Sequence, residues 1–308
     1  MGLRIRTNVQ ALTAMRNMGN TVHALGENMA KLSSGYRINK AADDAAGLAI
    51  SESLRADIRS LGQAKRNAND AVSLVQVAEG GLNEIQNIMI RLRELSIQSA
   101  SDTVGMRERG YLNKEFMALK DEIDRIAVST SFNGTRLLTG TKELDPSLLK
   151  DHNYSPLEIQ VGKDYLPGPD SIDKQNPINI IKMNLANMNA TTEGEGSLNL
   201  GTAESGEGAN VLSKEGAQMS IEKIDGAMKS LGEYRAHLGS IQSRLMSTDA
   251  NLGIQIENLS LAKSRIKDAD FAQETAEYTQ NNILQQAAAS VLSQANQLPA
   301  VALKLLNN

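Results

Sequence analysis

Histidines and paired carboxylates are the residues of this sequence that could bind a metal ion or transfer a proton. His23, His152 and His237 are far apart along the chain. None belongs to a His-Glu-x-x-His motif, which would place two imidazoles on one helical face. Asp43 and Asp44 are adjacent, but the alanines around them indicate the start of a helix, where a carboxylate caps backbone amides. We therefore interpret the histidines as surface or packing residues and the aspartates as helix caps.

A phosphate-binding loop is the other chemical site that residue spacing suggests. Gly105 and Gly110 have the required spacing, but Tyr111 and Leu112 stand where such a loop needs Lys and Ser or Thr. The sequence also has no Cys, which excludes disulfides and catalysis by a thiolate. We expect no catalytic residue, no metal site, no cofactor and no enzyme activity.

Composition and charge argue against further classes of protein. The 308 residues carry a formal net charge of -4, and Lys and Arg are dispersed along the chain, which argues against a nucleic-acid partner. The basic N-terminus is not followed by an apolar segment with a small-residue cleavage site, so we expect no cleaved signal peptide. The longest uncharged run, residues 278–303, contains many Asn and Gln, which argues against a membrane span.

The elements that must position these residues are long helices on either side of a central window. Five of the six prolines lie within residues 146–177, where β-favouring pieces such as 157–161 predict one or two hairpins. Residues 189–209 hold five Gly and four Glu, and we interpret them as a flexible, exposed connection. The predicted fold is mostly α. Its long terminal helices form an antiparallel coiled coil, and the remainder is an elongated helical bundle with a small β-hairpin region.

Two heptad seams predict that the ends of the chain pair with each other. Apolar positions near both termini alternate in steps of three and four, and every second seam position near the C-terminus is Ala. A row of Ala permits close approach of a neighbouring helix, and the bulky N-terminal seam would fill that groove. A thin two-helix coil exposes much of its apolar surface, so we expect other copies to cover it. The predicted self-assembly seam consists of Met15, Met18, Val22, Leu25, Met29, Leu32, Leu284, Ala288, Val291, Ala295, Leu298, Ala302 and Leu305.

Two stretches of the sequence resemble the signatures of bacterial flagellins. Residues 32–39 (Leu-Ser-Ser-Gly-Tyr-Arg-Ile-Asn) and 42–47 (Ala-Asp-Asp-Ala-Ala-Gly) resemble the N-terminal signature. Residues 264–272, 283–287 and 294–297 resemble the C-terminal signature, and the resemblance covers about residues 1–140 and 211–308. It implies a structural subunit that polymerises into the extracellular flagellar filament for motility, in a minimal form without large variable outer domains.

The resemblance also implies a domain order and a set of partners. Residues 1–44 and 265–308 would be the two halves of a terminal coiled-coil domain, and 45–188 the first part of a helical wall domain with the hairpins. Residues 189–209 would be the connection, and 210–264 the C-terminal helix of the wall domain. The implied partners are further copies of the chain, an export chaperone that binds the C-terminal region, and the hook-junction and cap proteins. Export by the flagellar type III apparatus would explain the missing signal peptide.

A further resemblance concerns residues 90–99, which are similar to the flagellin segment bound by a host Toll-like receptor. Arg91, Leu95 and Glu115 align with its main contact positions. Arg91 and Leu95 are one helical turn apart and lie off the seam of Leu82, Ile85, Met89 and Leu92, so we expect them to share an exposed face. We give more weight to packing of this face against the next subunit, with receptor binding using the same surface.

Three other functions fit the sequence less well. A filament-junction protein shares terminal coiled coils, but the density of the flagellin signatures disfavours it. A coiled-coil signalling protein of the chemoreceptor type would need a membrane anchor, which the sequence does not suggest. Some flagellins carry a zinc protease in their variable region, and this sequence lacks the His-Glu-x-x-His motif that identifies it.

Overall fold

Long helices dominate the computed structural model, which describes residues 8–140, 156–164, 179–190, 198–201 and 208–306, with side chains up to residue 297. The predicted, mostly α fold is confirmed. In chain order the elements are α1 (Val9–Ser34), α2 (Ala45–Ala100), α3 (Met106–Ser129), β1 (Ser131–Phe132), β2 (Thr135–Arg136), β3 (Leu157–Gln160), β4 (Ile180–Met183), α4 (Lys214–Lys267) and α5 (Phe271–Leu306).

The first two helices begin and end where local side chains satisfy their free backbone groups. The Asn8 side chain accepts a hydrogen bond from the Ala11 amide at the start of α1, and Gly35 ends that helix with φ 74°. Asp44 Oδ1 accepts from the Gly47 amide at 2.8 Å, where α2 begins. The predicted capping role of Asp44 is therefore confirmed.

Helix α2 passes without a break through the Gly80-Gly81 pair. A Cβ atom on Gly81 would lie 2.7 Å from Thr130 Oγ1 and 2.9 Å from Leu138 Cδ1. The glycine therefore permits a close approach between this helix and the segment that follows α3. Helix α5 likewise continues through Pro299.

The chain divides into two compact units, and both boundaries fall inside helices. The first unit contains residues 1–58 and 257–308, and the second contains residues 59–256. The sequence predicts divisions at 44/45, where α2 begins, and at 264/265, close to the end of α4. Because α2 and α4 continue across the unit boundaries, no turn residue in the sequence marks them.

The second unit has one apolar core, to which α2, α3 and α4 each contribute one face. Residues at helical spacing line these faces, and the fully buried ones include Leu82, Ile85, Met89, Leu92, Phe116, Ile123, Ile224, Leu231, Leu238 and Leu245. Two ion pairs anchor α4 at the edge of this core. Arg93 Nε of α2 lies 2.7 Å from Asp225 Oδ1, and Lys214 Nζ lies 2.7 Å from Asp102 Oδ2, which follows the end of α2.

Two antiparallel strand pairs complete the second unit. Strands β1 and β2 join at Asn133 and Gly134, which have φ values of 49° and 81°, so the predicted Asn-Gly turn is confirmed. Strands β3 and β4 pair with Leu157 opposite Met183. The predicted β-favouring piece at 157–161 is therefore a strand, although its partner begins only at Ile180.

The expected exposed connection at residues 189–209 is wrong for its described part. Ala190, Leu198, Leu200 and Ala209 are all buried in the core. The Leu200 amide donates to the Ala190 carbonyl at 2.9 Å, and the Ala209 amide donates to the Leu200 carbonyl at 2.7 Å. The prediction failed because it rested on the Gly and Glu content, whereas the apolar residues among them pack into the core.

Candidate assembly surface

Helices α1 and α5 form an antiparallel pair within the first unit. Near one end, Asn8 Nδ2 donates to the Ala295 carbonyl at 2.7 Å. Near the other end, Lys31 Nζ donates to Glu274 Oε1 at 3.0 Å. The sequence numbers of these partners run in opposite directions, and along the pair the Cα atoms of the two helices approach to within 8 Å. The predicted pairing of the chain ends is present.

The residues between the two helices are mostly small or polar. They follow heptad steps on both helices and are all buried or half-buried: Ala11, Ala14, Met18, Thr21, Leu25, Asn28 and Leu32 on α1, and Glu274, Tyr278, Asn281, Gln285, Ala288, Leu292 and Ala295 on α5. The Ala14 and Ala295 side chains are short enough for the helix backbones to come close.

Half of the described part of the predicted seam lies outside this contact. Met18, Leu25, Leu32, Ala288 and Ala295 face the partner helix, as expected. The other predicted row is exposed, and it consists of Met15, Val22 and Met29 on α1 with Leu284 and Val291 on α5. The side chains of Leu298, Ala302 and Leu305 lie outside the described residues.

The reason for this correction is that two heptad frames share the row at 11, 18, 25 and 32. The second row can be either 14, 21 and 28 or 15, 22 and 29, and the predicted seam contains the latter because it is the more apolar. The structure instead places Asn28 near the Lys31–Glu274 ion pair, between the helices. Short side chains and polar partners thus determine the second row of the frame, and the bulky residues at 15, 22 and 29 remain outside.

The two exposed apolar rows lie on opposite flanks of the α1/α5 pair. With Ala11 and Ala14 at heptad positions a and d, Met15, Val22 and Met29 are at position e. On α5 the same assignment places Leu284 and Val291 at position g. In an antiparallel pair, e faces e and g faces g, so the two rows lie on opposite sides. We call them the Met row (Met15, Val22, Met29) and the Leu/Val row (Leu284, Val291).

A groove on one flank supports this assignment. It encloses about 750 Å³ and is lined by Gln10, Thr13 and Asn17 of α1 and by Val291 and Gln294 of α5. Gln10 and Asn17 are at position g of α1, so the Leu/Val row shares the flank of the g positions. The Met row therefore belongs to the other flank.

Two connecting segments of the first unit, residues 35–44 between α1 and α2 and residues 268–270 between α4 and α5, lie side by side and are joined by hydrogen bonds. The Arg37 amide donates to the Lys267 carbonyl at 2.7 Å, and the Ala269 amide donates to the Gly35 carbonyl at 3.0 Å. Arg37 Nη2 also donates to the Ile266 carbonyl at 2.9 Å, and Lys267 Nζ lies 5.1 Å from the centroid of the Tyr36 ring. These contacts fix where the two terminal helices begin and end.

The acidic pair between α1 and α2 has a structural role. Asp43 Oδ2 accepts from the amides of Lys40 and Asn39, each at 2.9 Å. These backbone hydrogen bonds, that of Lys40 first, hold the pKa of Asp43 below its usual value of 3.8. An exposed carboxylate that stays ionised and orders its own loop is suited to capping and not to acid-base catalysis.

The receptor-like residues do not share one exposed face. Arg91 Nη2 lies 2.9 Å from Glu115 Oε1, and Arg91 Nη1 lies 3.0 Å from Glu94 Oε2. These hydrogen bonds, that of Glu115 first, raise the pKa of Arg91. Leu95 is only 1% exposed and belongs to the core, so its expected exposure is wrong. The reason is that the buried stripe of α2 is wider than one heptad seam.

The remaining chemical candidates do not converge. His23 and His237 are both exposed, with Nδ1 of His23 lying 3.3 Å from Glu27 Oε1 and His237 stacked on Tyr234; His152 lies outside the described residues. Within the described residues no group of three or more metal-ligating side chains comes together. In the same part of the chain, no helix has the length and apolar character that crossing a membrane requires.

Comparison with known proteins assigns the family. The family described as "Bacterial flagellin N-terminal helical region" matches residues 5–143, and "Bacterial flagellin C-terminal helical region" matches residues 221–306. A flagellin of Halalkalibacterium halodurans is 40% identical over 302 residues, which cover 98% of this chain and 99% of the relative. The chain belongs to the bacterial flagellin family.

Other relatives agree with this flagellin assignment. The "Flagellar filament 33 kDa core protein" of Treponema phagedenis is 38% identical, with 98% of this chain and 99% of the relative covered. Among solved structures, a putative flagellar hook-associated protein from Vibrio parahaemolyticus aligns with a TM-score of 0.55 at 14% identity. That alignment covers 73% of this chain and all of that protein. At this identity the structural likeness shows the fold alone.

Sequence reasoning missed the polar residues that fix the register of the flagellin's terminal pair. Asn8, Lys31 and Glu274 make the bonds at its two ends, and none belonged to the predicted seam. Lys31 gave a weak signal, because it adjoins the seam residue Leu32 at a position where a charged side chain often pairs with the facing helix. Glu274 gave none, since both of its neighbours in the sequence are polar.

Proposed function

We propose that this flagellin is a structural subunit that polymerises into the extracellular filament of a bacterial flagellum. The observation that carries the proposal is the pair of exposed apolar rows on opposite flanks of α1/α5. The family is one of structural proteins, and its relatives include a filament core protein. The Met row and the Leu/Val row would be covered by neighbouring copies.

Burial of these rows supplies a driving force for assembly. Complete burial of a Val, Leu or Met side chain stabilises by about 1.5–3 kcal/mol. Since each of the five side chains is about half exposed in the single subunit, each would contribute roughly half of that on assembly. The summed free energy favours assembly, and it is small enough that we expect assembly to depend on the subunit concentration.

The arrangement of the rows favours an open polymer over a closed dimer. A surface that pairs with a different surface on the next copy is heterologous, and it generates a ring or an open helical filament. The Met row and the Leu/Val row differ in composition and lie on opposite flanks. We infer that the Met row of one copy packs against the Leu/Val row of the next.

The experiment uses one polar substitution in each row. Val22→Asn and Val291→Asn should each raise the critical concentration for polymerisation by at least about tenfold, which corresponds to about 1.4 kcal/mol. Ser290→Asn places the same side chain at an exposed polar position of α5 that does not line the groove, and it should leave assembly unchanged. Sedimentation and electron microscopy measure polymer, and circular dichroism checks the fold.

Mixing the two variants tests the heterologous contact directly. Each variant keeps one intact row, so neither should associate through α1/α5 alone, whereas a mixture should form dimers between the two variants. If each row paired with its own kind, each variant alone would instead form dimers. Analytical ultracentrifugation of the separate and mixed variants distinguishes these outcomes, and homodimers would contradict the proposed contact.

The other predicted partners remain predictions. These are an export chaperone bound through the C-terminal region, the hook-junction and cap proteins, and a host Toll-like receptor. For the receptor, Arg91 and Glu115 remain the candidates for contact because both are exposed, while Leu95 could act only through the core. Export without a cleaved signal peptide is likewise part of the proposal. The filament-junction protein and the signalling protein are not favoured, because flagellins match over nearly the whole chain.

A further inference from the structure

The sulfur atoms of the chain divide into protected and accessible ones. There is no Cys, so the twelve methionine thioethers are its only sulfur groups. Met89, Met183 and Met188 are fully buried in the core of the second unit. A second group is exposed, and it consists of Met15, Met29, Met106, Met219 and Met246. Any oxidant of thioethers in solution therefore reaches this second group first.

Two of the exposed methionines occupy the Met row. Met15 is 63% exposed and Met29 is 55% exposed, one on each side of Val22 along α1. Met18, between them in sequence, is half-buried against α5 and is therefore less accessible. Two of the three side chains of the Met row are therefore methionines.

We propose that Met15 and Met29 form a reversible oxidation site through which peroxide blocks addition of the subunit to a filament. Hydrogen peroxide transfers one oxygen atom to the thioether sulfur, its O–O bond breaks, and water leaves. The methionine loses two electrons and becomes the sulfoxide, while the peroxide is reduced. This inference rests on the proposed function, because it assumes that the Met row becomes buried during assembly.

Oxidation opposes assembly because of what the Met row must contact. A sulfoxide is polar and chiral, and the Leu284 and Val291 side chains of a neighbouring copy cannot replace the water that the sulfoxide would lose on burial. A sulfoxide at either position should raise the critical concentration at least tenfold. Assembly in turn should protect both sulfurs, so filaments resist an exposure to peroxide that inactivates free subunits.

The first test needs only the unmodified chain. Subunits are oxidised with hydrogen peroxide until about half of the exposed methionines are converted, then induced to polymerise and sedimented. Peptide mass spectrometry gives the sulfoxide fraction at each position in pellet and supernatant. Sulfoxides at Met15 and Met29 should be at least tenfold depleted from the pellet, while those at Met106, Met219 and Met246 should be less depleted. Equal depletion at all five positions would overturn the proposal.

Variants supply a second, independent test. Met15→Leu/Met29→Leu keeps the row apolar and should polymerise after peroxide treatment, whereas Met106→Leu/Met219→Leu/Met246→Leu should remain sensitive. Methionine sulfoxide reductases should restore assembly of the oxidised unmodified chain. If oxidised subunits polymerise as well as untreated ones, the oxidation site is wrong but the filament function stands. If untreated subunits never polymerise, the proposed function itself is wrong.

Discussion

Replacing Ala295 with Leu tests whether α1 and α5 already pair within a single subunit. Ala295 is 5% exposed, and its carbonyl accepts the hydrogen bond from Asn8. A Leu side chain adds three carbon atoms to a residue that is buried against α1 and whose backbone carbonyl holds Asn8. We therefore expect the pair to separate more readily in the free subunit, before any polymer forms.

The size of the effect follows from the cost of overpacking. Extra methylene groups in a closely packed contact cost about 1–3 kcal/mol. At about 1.4 kcal/mol for each factor of ten, separation of the pair should become roughly 5- to 150-fold more frequent. Loss of the Asn8 hydrogen bond would add about 0.5–1.5 kcal/mol if the backbones move apart. The second unit should be unaffected, because Ala295 lies in the first.

Amide hydrogen exchange measured by mass spectrometry reports this separation. Peptides from Val9–Ser34 should exchange faster in Ala295→Leu by the factor given above, while peptides from Met106–Ser129 serve as an internal reference. Ala287→Leu is the matched control, because it adds the same atoms at an exposed position of α5. The reasoning is refuted if α1 shows no protection in the unmodified subunit, or if both variants behave alike.

Two further predictions concern the second unit. Leu95→Ala removes a fully buried side chain and should lower the free energy of unfolding in urea by about 2–5 kcal/mol. Arg91→Ala breaks only an exposed ion pair and should lower it by less than about 1 kcal/mol. Equal losses would contradict the core position of Leu95. Lys120 Nζ donates to the buried Leu200 carbonyl, and burial lowers the pKa of this amino group below its usual value of 10.5. Between the folded-state pKa and pH 10.5, the unfolded chain therefore binds more protons than the folded chain. The contribution of Lys120 to stability should therefore rise with pH up to 10.5. Over the same range, the free energy of unfolding of the unmodified chain should increase relative to that of Lys120→Met. Urea denaturation of both chains at several pH values checks the sign.

The helices and turns were predictable because their signals are local. Heptad spacing indicates α1 and α5 without knowledge of any partner, and Asp44 and the Asn133-Gly134 turn act on their own neighbouring amides. The frame of the α1/α5 contact was not predictable in the same way. Rows 14/21/28 and 15/22/29 are both compatible with the shared row, and only the opposing residues of α5 decide between them.

Two other errors have a comparable cause. The exposure of Leu95 was inferred from a single heptad seam, but a helix that faces two others buries a wider stripe. The prediction of an exposed connection at 189–209 rests on its Gly and Glu content, while Leu198 and Leu200 in its described part are buried in the core. In each case the deciding partner lies far away in the sequence, as with Lys120 and Leu200.

The polar interior of the α1/α5 pair explains why apolar residues remain outside it. Asn28 and Glu274 are buried between the helices, and Glu274 Oε2 accepts no hydrogen bond within the described part of the chain. Buried polar residues of this kind reduce the stability of a helix pair, but they permit only one register because any shift would separate Lys31 from Glu274. A register fixed by polar contacts places every residue of the Met row and the Leu/Val row at a definite height along the pair. In the proposed contact, successive copies would then meet in one way only, which is the condition for a regular polymer, and burial of the two rows would add to the stability of the pair.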